Sequence, residues 1–290
     1  VVTPNLDEAS RLAGMSIRNL DEAEEAAKKI ASLGPKAVVV KGGHLDLDES
    51  VDTLYYDGVI RRYAGNRVSG GTHGTGCTFA SATAALLAKG YDIFSAVNEA
   101  KRFVADAILY SPKVGKGIAP VSPLGKTVVD AEKMRVLQSI SEAVNLLESN
   151  HSFTNLIPEC QTNIAMALPE PKGLEDVAAI PGRVVNAMGR VKASDCPRFG
   201  ASKHLASILL AVSEYTSLVR AAVNIRFDED ILKAAHTLGY SCSEYDRSKE
   251  PEEVKAIEGE TTKWGAREAI KSYGAVPDII FHRGDMGKEA

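Results

Sequence analysis

The 290-residue sequence has only four cysteines, Cys77, Cys160, Cys196 and Cys242, and no CxxC pair. That scarcity leaves little support for a zinc site or a disulfide framework, and it fits a reducing compartment, so a cytoplasmic protein is expected. No run of about 18 apolar residues is present, so no membrane span is expected. Positive charge is not in excess either. The net charge is −4, which argues against a nucleic-acid or membrane-surface partner. There is no secretory leader of the basic-then-apolar kind, no internal repeat and no low-complexity tract. What is present is ordinary for a soluble globular protein: 44% hydrophobic and 25% charged residues, with length for about two domains. The opening "VVTPN" is apolar and β-branched, like the inside of a strand, and "HRGDMGKEA" stops soon after a glycine turn. A fragment at both ends is therefore expected.

Periodicity predicts helices over residues 6–14, 20–33 and 92–110, and a further one ending at Lys89 with Gly90 as its stop. "KAVVVKGG" (36–43) is a short apolar run bounded by turn signals, hence a buried strand. Residues 53–65 fit two strands around Asp57-Gly58, a strong hairpin dipeptide. The alternation of strands and helices argues for an α/β layer. Residues 111–130 read as a linker or a closing loop, and the domain boundary is placed at 127/128. Beyond it, Val136, Leu137, Ile140, Val144 and Leu147 recur at helical spacing. Strands are then expected at 163–168, 183–188, 218–227 and 277–283, and helices at 203–217, 229–238 and 262–273.

Four glycines fall within "GGTHGTG" (70–76), directly before Cys77 and an alanine-rich run. A helix N-terminus exposes unpaired N–H groups and the positive end of its dipole, so a glycine loop leading into one can cradle a phosphate. The loop is neither a Walker loop, since no GK[ST] follows, nor the G-x-G-x-x-G fingerprint. A tight turn into a helix is the alternative. A helix N-terminus also favours the anionic form of a thiol. Cys77 could therefore take a proton from a substrate hydroxyl beside the cradle. The alternative is a small buried apolar residue.

"VVTPNLDEA", "VVVKGGH" and "GGTHGTGCTFASA" resemble the C-terminal half of hydroxymethylpyrimidine (phosphate) kinases of the ribokinase-like superfamily, over roughly residues 1–125. The resemblance implies that Gly74, Thr75, Gly76 and the Cys77 amide form an anion hole for the transferred phosphoryl group of ATP, with Cys77 beside the attacking hydroxymethyl oxygen. It implies that Asn5 and Glu8, as an N-x-x-E motif, place Mg²⁺ and the nucleotide phosphates, with Glu8 on the metal side. The same spacing is also a helix capping box. Lys41-Gly42-Gly43-His44 ends a strand, where ligands gather in open α/β sheets, and is read as pocket lining. Kinases of this family carry a long segment before "TPN" that supplies most of the pyrimidine pocket. It is absent here, so weak or no kinase activity is expected from this chain alone.

In the second half, "GRVKASDCPRFGASKHLASILLAVSEYT" places Arg190, Lys192, Arg198 and Lys203 in a loop that ends at a helix start. Ser202 is the expected N-cap, and His204 sits in the first turn. Such cations suit a phosphate or pyrophosphate; a solvated basic loop is the alternative. Arg283 and Lys288, around the glycines of "FHRGDMGKE", form a second candidate anion site.

From about residue 130 onward the chain resembles the ThiN type of thiamine-phosphate synthase domain, which follows such a kinase in archaeal fusions. The resemblance implies a three-layer α/β/α fold similar to class II aldolases and ribulose-phosphate epimerase, and a homodimer. It implies a reaction in which the nitrogen of hydroxyethylthiazole phosphate displaces pyrophosphate from hydroxymethylpyrimidine pyrophosphate, with Mg²⁺. Its functional Arg and His fall on Arg183 and His204, with Arg198, Ser202, Lys203 and Lys288 as phosphate contacts. The competing reading is a ThiN domain that senses a thiamine compound without catalysis, with the kinase half as a scaffold.

Overall fold

The computed structural model describes residues 1–43, 45, 48–112, 114–255, 257 and 260–284. The chain divides into two compact units, Val1–Asp130 and Ala131–Ala290.

The first unit contains α1 (Leu6–Ala13), α2 (Leu20–Ala31), β1 (Ala37–Val40), β2 (Glu49–Tyr56), β3 (Val59–Asn66), α3 (Thr75–Ala88) and α4 (Ile93–Leu109). Strands β1, β2 and β3 form an antiparallel sheet in that order. The other edge of β1 takes parallel bridges from the opening residues, Val2 to Val38 and Asn5 to Lys41. Both faces of β1 are buried. Val38 and Val40 pack with Leu6, Ala23 and Ile30 of α1 and α2. Ala37 and Val39 pack with Phe79, Val97 and Ala100 of α3 and α4. A strand covered on both sides needs no polar alternation, which is why three valines run in sequence. Each fully buried valine contributes about 1.5–3 kcal/mol. The β2–β3 turn has positive φ at both Asp57 (49°) and Gly58 (76°), as a two-residue hairpin matching strand twist requires.

The helix α5 (Gly125–Ser149) leads into the second unit. There it buries Val136, Ile140 and Val144. The unit continues with β4 (Ile164–Ala167), β5 (Val177–Ala179), β6 (Val184–Ala187), β7 (Arg190–Ala193), β8 (Arg198–Phe199), α6 (Lys203–Ser213), β9 (Ala221–Val223), α7 (Glu229–Thr237), β10 (Cys242–Glu244), α8 (Glu252–Lys255), α9 (Glu260–Tyr273) and β11 (Ile279–Phe281). A four-stranded antiparallel sheet has the order β8-β5-β4-β9. Leu205, Ala206 and Leu209 of α6 cover it against Ala165, Ala167, Val177 and Ala179. Helix α9 packs on α6 and β10. Strands β6 and β7 form a separate hairpin, and β10 and β11 pair in parallel.

The architecture is α/β in both units, with three departures from expectation. Residues 111–130 are not all linker, because α5 begins at Gly125. The basic loop before α6 contains β7 and β8, with Val191 buried between exposed Arg190 and Lys192. The expected strand over 218–227 shrinks to Ala221–Val223, at the sheet edge. Strands of two or three residues such as β5, β8 and β10 are too short to show an alternating period. Among the described residues no helix is long and apolar enough to cross a membrane.

Candidate active sites

In the first unit, Lys41 and the segment Gly74–Cys77 meet at the start of α3. Gly74 precedes the helix in the left-handed region (φ 86°), and no side chain caps the helix. Thr75 N–H donates to the Thr72 carbonyl at 3.3 Å, so it is the N–H groups of Gly76 and Cys77 that are placed to meet an anion. Lys41 comes to this point from the end of β1. A Cβ on Gly76 would lie 2.9 Å from Lys41 Nζ, so glycine here lets the ammonium reach the helix N-terminus. Cys77, in the same turn, is exposed. The alternative of a small buried residue is therefore not realised.

Asn5 lies beside Lys41 through its parallel bridge. Its Oδ1 accepts from Glu8 N–H at 2.8 Å, and Glu8 Oε2 accepts from Asn5 N–H at 2.8 Å. The capping box is complete, and it occupies one oxygen of exposed Glu8. The turn after Lys41 is held from behind. Asp52, buried, accepts from Gly42 N–H at 3.0 Å and from Lys101 Nζ at 2.8 Å. Arg67 donates to the Gly43 and Leu45 carbonyls. His44 lies outside the described residues.

The donor set fits a nucleotide polyphosphate: amide N–H groups at a helix start plus one lysine. Among the described residues, no three His, Cys, Asp or Glu side chains gather to hold a metal ion. A magnesium ion would fit only as a phosphate-borne ion with Glu8 as carboxylate, the usual mode for this cation.

In the second unit, Arg183 stands close enough to His204 for its charge to act on the imidazole. Arg183 occupies the turn before β6 with φ 73°. A side chain there costs about 1–2 kcal/mol, a strain typical of functional positions. Its Nη1 donates to the Cys160 carbonyl at 2.5 Å. His204, in the first turn of α6, has Nδ1 3.2 Å from Thr262 Oγ1 on α9. Surrounding protein holds its pKa below the ordinary histidine range, and the charges of Arg183 and then Arg247 push it the same way. The residue as a whole is nevertheless exposed. His282, after β11, is lowered in turn by burial, by Arg247 and by His204. Its Nδ1 accepts from Gly284 N–H at 3.0 Å, a bond available only when that nitrogen carries no proton. Its ring packs 5.2 Å from that of Tyr245.

The other expected phosphate contacts are not gathered there in the same way. Arg198 pairs with Asp195 at 2.6 Å, and Lys192 with Glu148 at 3.2 Å. Ser202 accepts from Leu205 N–H at 3.4 Å as the N-cap of α6. Lys203 is exposed at the first position of that helix. Arg283 pairs with Glu229 and Glu244 and covers the stacked Phe227 and Phe281 rings. That occupation leaves the second candidate anion site without its arginine. Lys288 lies outside the described residues. Arg247, His282 and Thr262 were not expected from sequence. The signal for the first two is positional, since they follow the C-terminal ends of adjacent parallel strands, β10 and β11.

A model of the family "Thiamine-phosphate synthase ThiN" matches residues 139–290, just over half of the chain. The chain belongs to the ThiN family. Its N-terminal residues 1–122 match the model of phosphomethylpyrimidine kinase, and both are transferase families. The bifunctional thiamine biosynthesis protein ThiDN of Methanocaldococcus jannaschii is 39% identical over 79% of this chain and 52% of its own. The chain thus spans about half the length of that relative. The thiamine-phosphate synthase ThiN of Methanothermobacter thermautotrophicus is 41% identical over 53% of this chain and 80% of its own. Among solved structures, the C-terminal domain of a phosphomethylpyrimidine kinase is 42% identical, with a TM-score of 0.51, over 54% of this chain and 88% of the other. Arg183 and His204 both lie within the segment matched by the ThiN model.

Proposed function

We propose that the ThiN unit joins hydroxymethylpyrimidine pyrophosphate to hydroxyethylthiazole phosphate, giving thiamine phosphate and pyrophosphate. The observation that carries this reading is Arg183, held with positive φ in the turn before β6, and His204, bonded to α9 from the first turn of α6, both within the segment that the ThiN model matches. In the reaction the thiazole nitrogen lone pair forms a bond to the pyrimidine methylene carbon. The carbon–oxygen bond to pyrophosphate breaks, and its electron pair leaves with that group. The aminopyrimidine can stabilise positive charge at the carbon, so the task left to the protein is to neutralise the departing anion and hold the thiazole in line. Arg183 supplies charge-assisted hydrogen bonds, each about 1.5–3 kcal/mol. His204, neutral in the free protein, hydrogen-bonds the leaving group and takes up a proton as negative charge builds there. Arg198, Ser202, Lys203 and Lys288 are assigned more peripheral contacts to phosphate.

The first unit is read as the phosphate-binding half of an ATP-dependent kinase for hydroxymethylpyrimidine and its monophosphate. Gly74, Thr75, Gly76 and the Cys77 amide would cradle the transferred phosphoryl group, Lys41 would offset its charge, and Cys77 would accept the hydroxymethyl proton. Asn5 and Glu8 would hold the phosphate-bound magnesium ion, which supplies charge neutralisation. A homodimer in the cytoplasm completes the proposal.

The test is direct. Purified chain is mixed with the pyrimidine pyrophosphate, the thiazole phosphate and Mg²⁺, and thiamine phosphate is measured. Product supports the synthase. A folded chain that binds thiamine phosphate and makes none is then assayed with its C-terminus extended as in the full-length relatives: recovered product supports the synthase, and none refutes it in favour of a sensor.

A further inference from the structure

Two parallel strands, β10 and β11, end side by side, with Glu244 opposite Phe281 and Tyr245 N–H donating to the Phe281 carbonyl at 3.0 Å. Arg247, three residues past β10 in a 3-10 turn (Arg247–Lys249), and His282, the residue after β11, therefore emerge at the same end of the pair. In α/β proteins, ligands collect at the C-terminal ends of such strands. This end adjoins both histidines: the Tyr245 ring lies 5.2 Å from that of His282, and α9, whose Thr262 Oγ1 is 3.2 Å from His204 Nδ1, packs on β10; the charge of Arg247 acts on both rings in keeping with that placement. Its partner is Glu250, 3.8 Å away and only 2% exposed, while the Arg247 side chain keeps 16% of its surface. Among the described residues Glu250 Oε1 is buried with no hydrogen-bond partner. A buried carboxylate so poorly satisfied adds little to stability, and its retention is explained if it fixes a cation for another purpose.

We infer that Arg247, positioned by Glu250, is a second pyrophosphate ligand alongside Arg183, with His204 and His282 between the two cations. The inference rests on the synthase reading and extends it to a residue pair nothing else assigns. A guanidinium offers a planar fork of donors suited to phosphate oxygens. Arg183 spends one donor on the Cys160 carbonyl, so a single arginine is poorly equipped for a pyrophosphate. The groups facing the two rings are Arg183, Arg247 and each other, with Tyr245 against His282. When the anion binds, repulsion from the arginines is offset, and the histidines bind protons more readily than in the free protein.

The experiment uses the whole chain and inorganic pyrophosphate as probe. Binding is measured by calorimetry for the wild type and for Arg247→Gln, Arg247→Lys, Glu250→Gln and Arg183→Gln. Histidine titrations are followed by NMR in parallel. Arg247→Gln is expected to weaken pyrophosphate binding by about tenfold or more, the loss of a hydrogen bond to a charged group. Arg247→Lys should recover part of it, and Glu250→Gln should fall between wild type and Arg247→Gln. In free Arg247→Gln, the His204 and His282 midpoints should both move up, because one repelling charge is gone. Misfolding would also raise both midpoints, because burial lowers them first, so each variant must keep the wild-type melting midpoint and a dispersed NMR spectrum before its shifts are read. If Arg247→Gln binds pyrophosphate as tightly as wild type while Arg183→Gln does not bind, the inference is wrong and the synthase reading stands. Unmoved midpoints also overturn it. If wild-type chain binds no pyrophosphate, the inference and the synthase reading fall together.

Discussion

Asp52→Ala is the perturbation whose consequence the structure defines best in the kinase-like unit. Asp52 is buried and holds two groups, the Gly42 amide that ends the Lys41 turn and the Lys101 ammonium. The side chains of Lys101 and Asp52 are only 12% and 9% exposed. Removing the carboxylate strands a buried ammonium, a loss of about 3–5 kcal/mol. Residual exposure of Lys101 and its contact with Ser50 Oγ at 3.3 Å favour the lower end. With an unfolding entropy of about 2.1 cal/mol/K per residue, about 3 kcal/mol over the unit Val1–Asp130 lowers its midpoint by roughly 11 °C. Trp264 lies in the other unit, so calorimetry or far-UV circular dichroism is the assay, with Trp264 fluorescence reporting the ThiN unit separately. A two-domain chain is not required to melt as one. The double variant Asp52→Asn/Lys101→Met removes both charges and is expected to regain most of the loss. A drop below about 1 kcal/mol, or a double variant no better than Asp52→Ala, would show that the pair is not the support proposed here.

Arg183→Ala is expected to abolish thiamine phosphate formation; normal turnover would remove Arg183 from the mechanism. His204→Ala should lower kcat more than it raises KM, whereas a change in KM alone would assign it a positioning role. Both His204 and His282 titrate below the ordinary range when folded, so as pH falls through about 6.5 the unfolded chain binds protons that the folded chain does not, and stability decreases. The ThiN unit's melting midpoint, followed by Trp264 fluorescence, should fall between pH 7.5 and 5.5, and the slope should flatten in His204→Asn/His282→Asn; a flat wild-type profile would contradict the assignment. In a protein of the bifunctional relatives' full length, Cys77→Ala should damage phosphoryl transfer while thiamine phosphate formation continues, and equal loss of both would make Cys77 structural.

Features confined to a few neighbouring residues were legible in the sequence. The Asn5–Glu8 capping box is a four-residue pattern, the Asp57-Gly58 hairpin two residues, and the apolar run of β1 follows from burial on both faces. The glycine loop leading into α3 was legible because a left-handed residue directly before a helix calls for glycine. Strands β5, β8 and β10 were not, since two or three residues carry no period and form through pairing with distant partners.

The cations show the same division. Residue type and spacing marked a basic segment before α6, yet spacing cannot say which charges are already answered. Arg198 has Asp195 three residues away, and Lys192 finds Glu148 across 44 positions. Arg247 comes to the same end as His282 only because β10 pairs with β11, a contact secured by Ser241 and Asp278 across 37 positions. The sequence by itself determined the longer helices, the glycine loop before α3 and the pair Arg183 and His204 as residues of interest. The tertiary structure alone decided which cations stand near the histidines, because Coulomb interactions depend on distance in space, and that distance is set by strand pairing rather than by order along the chain.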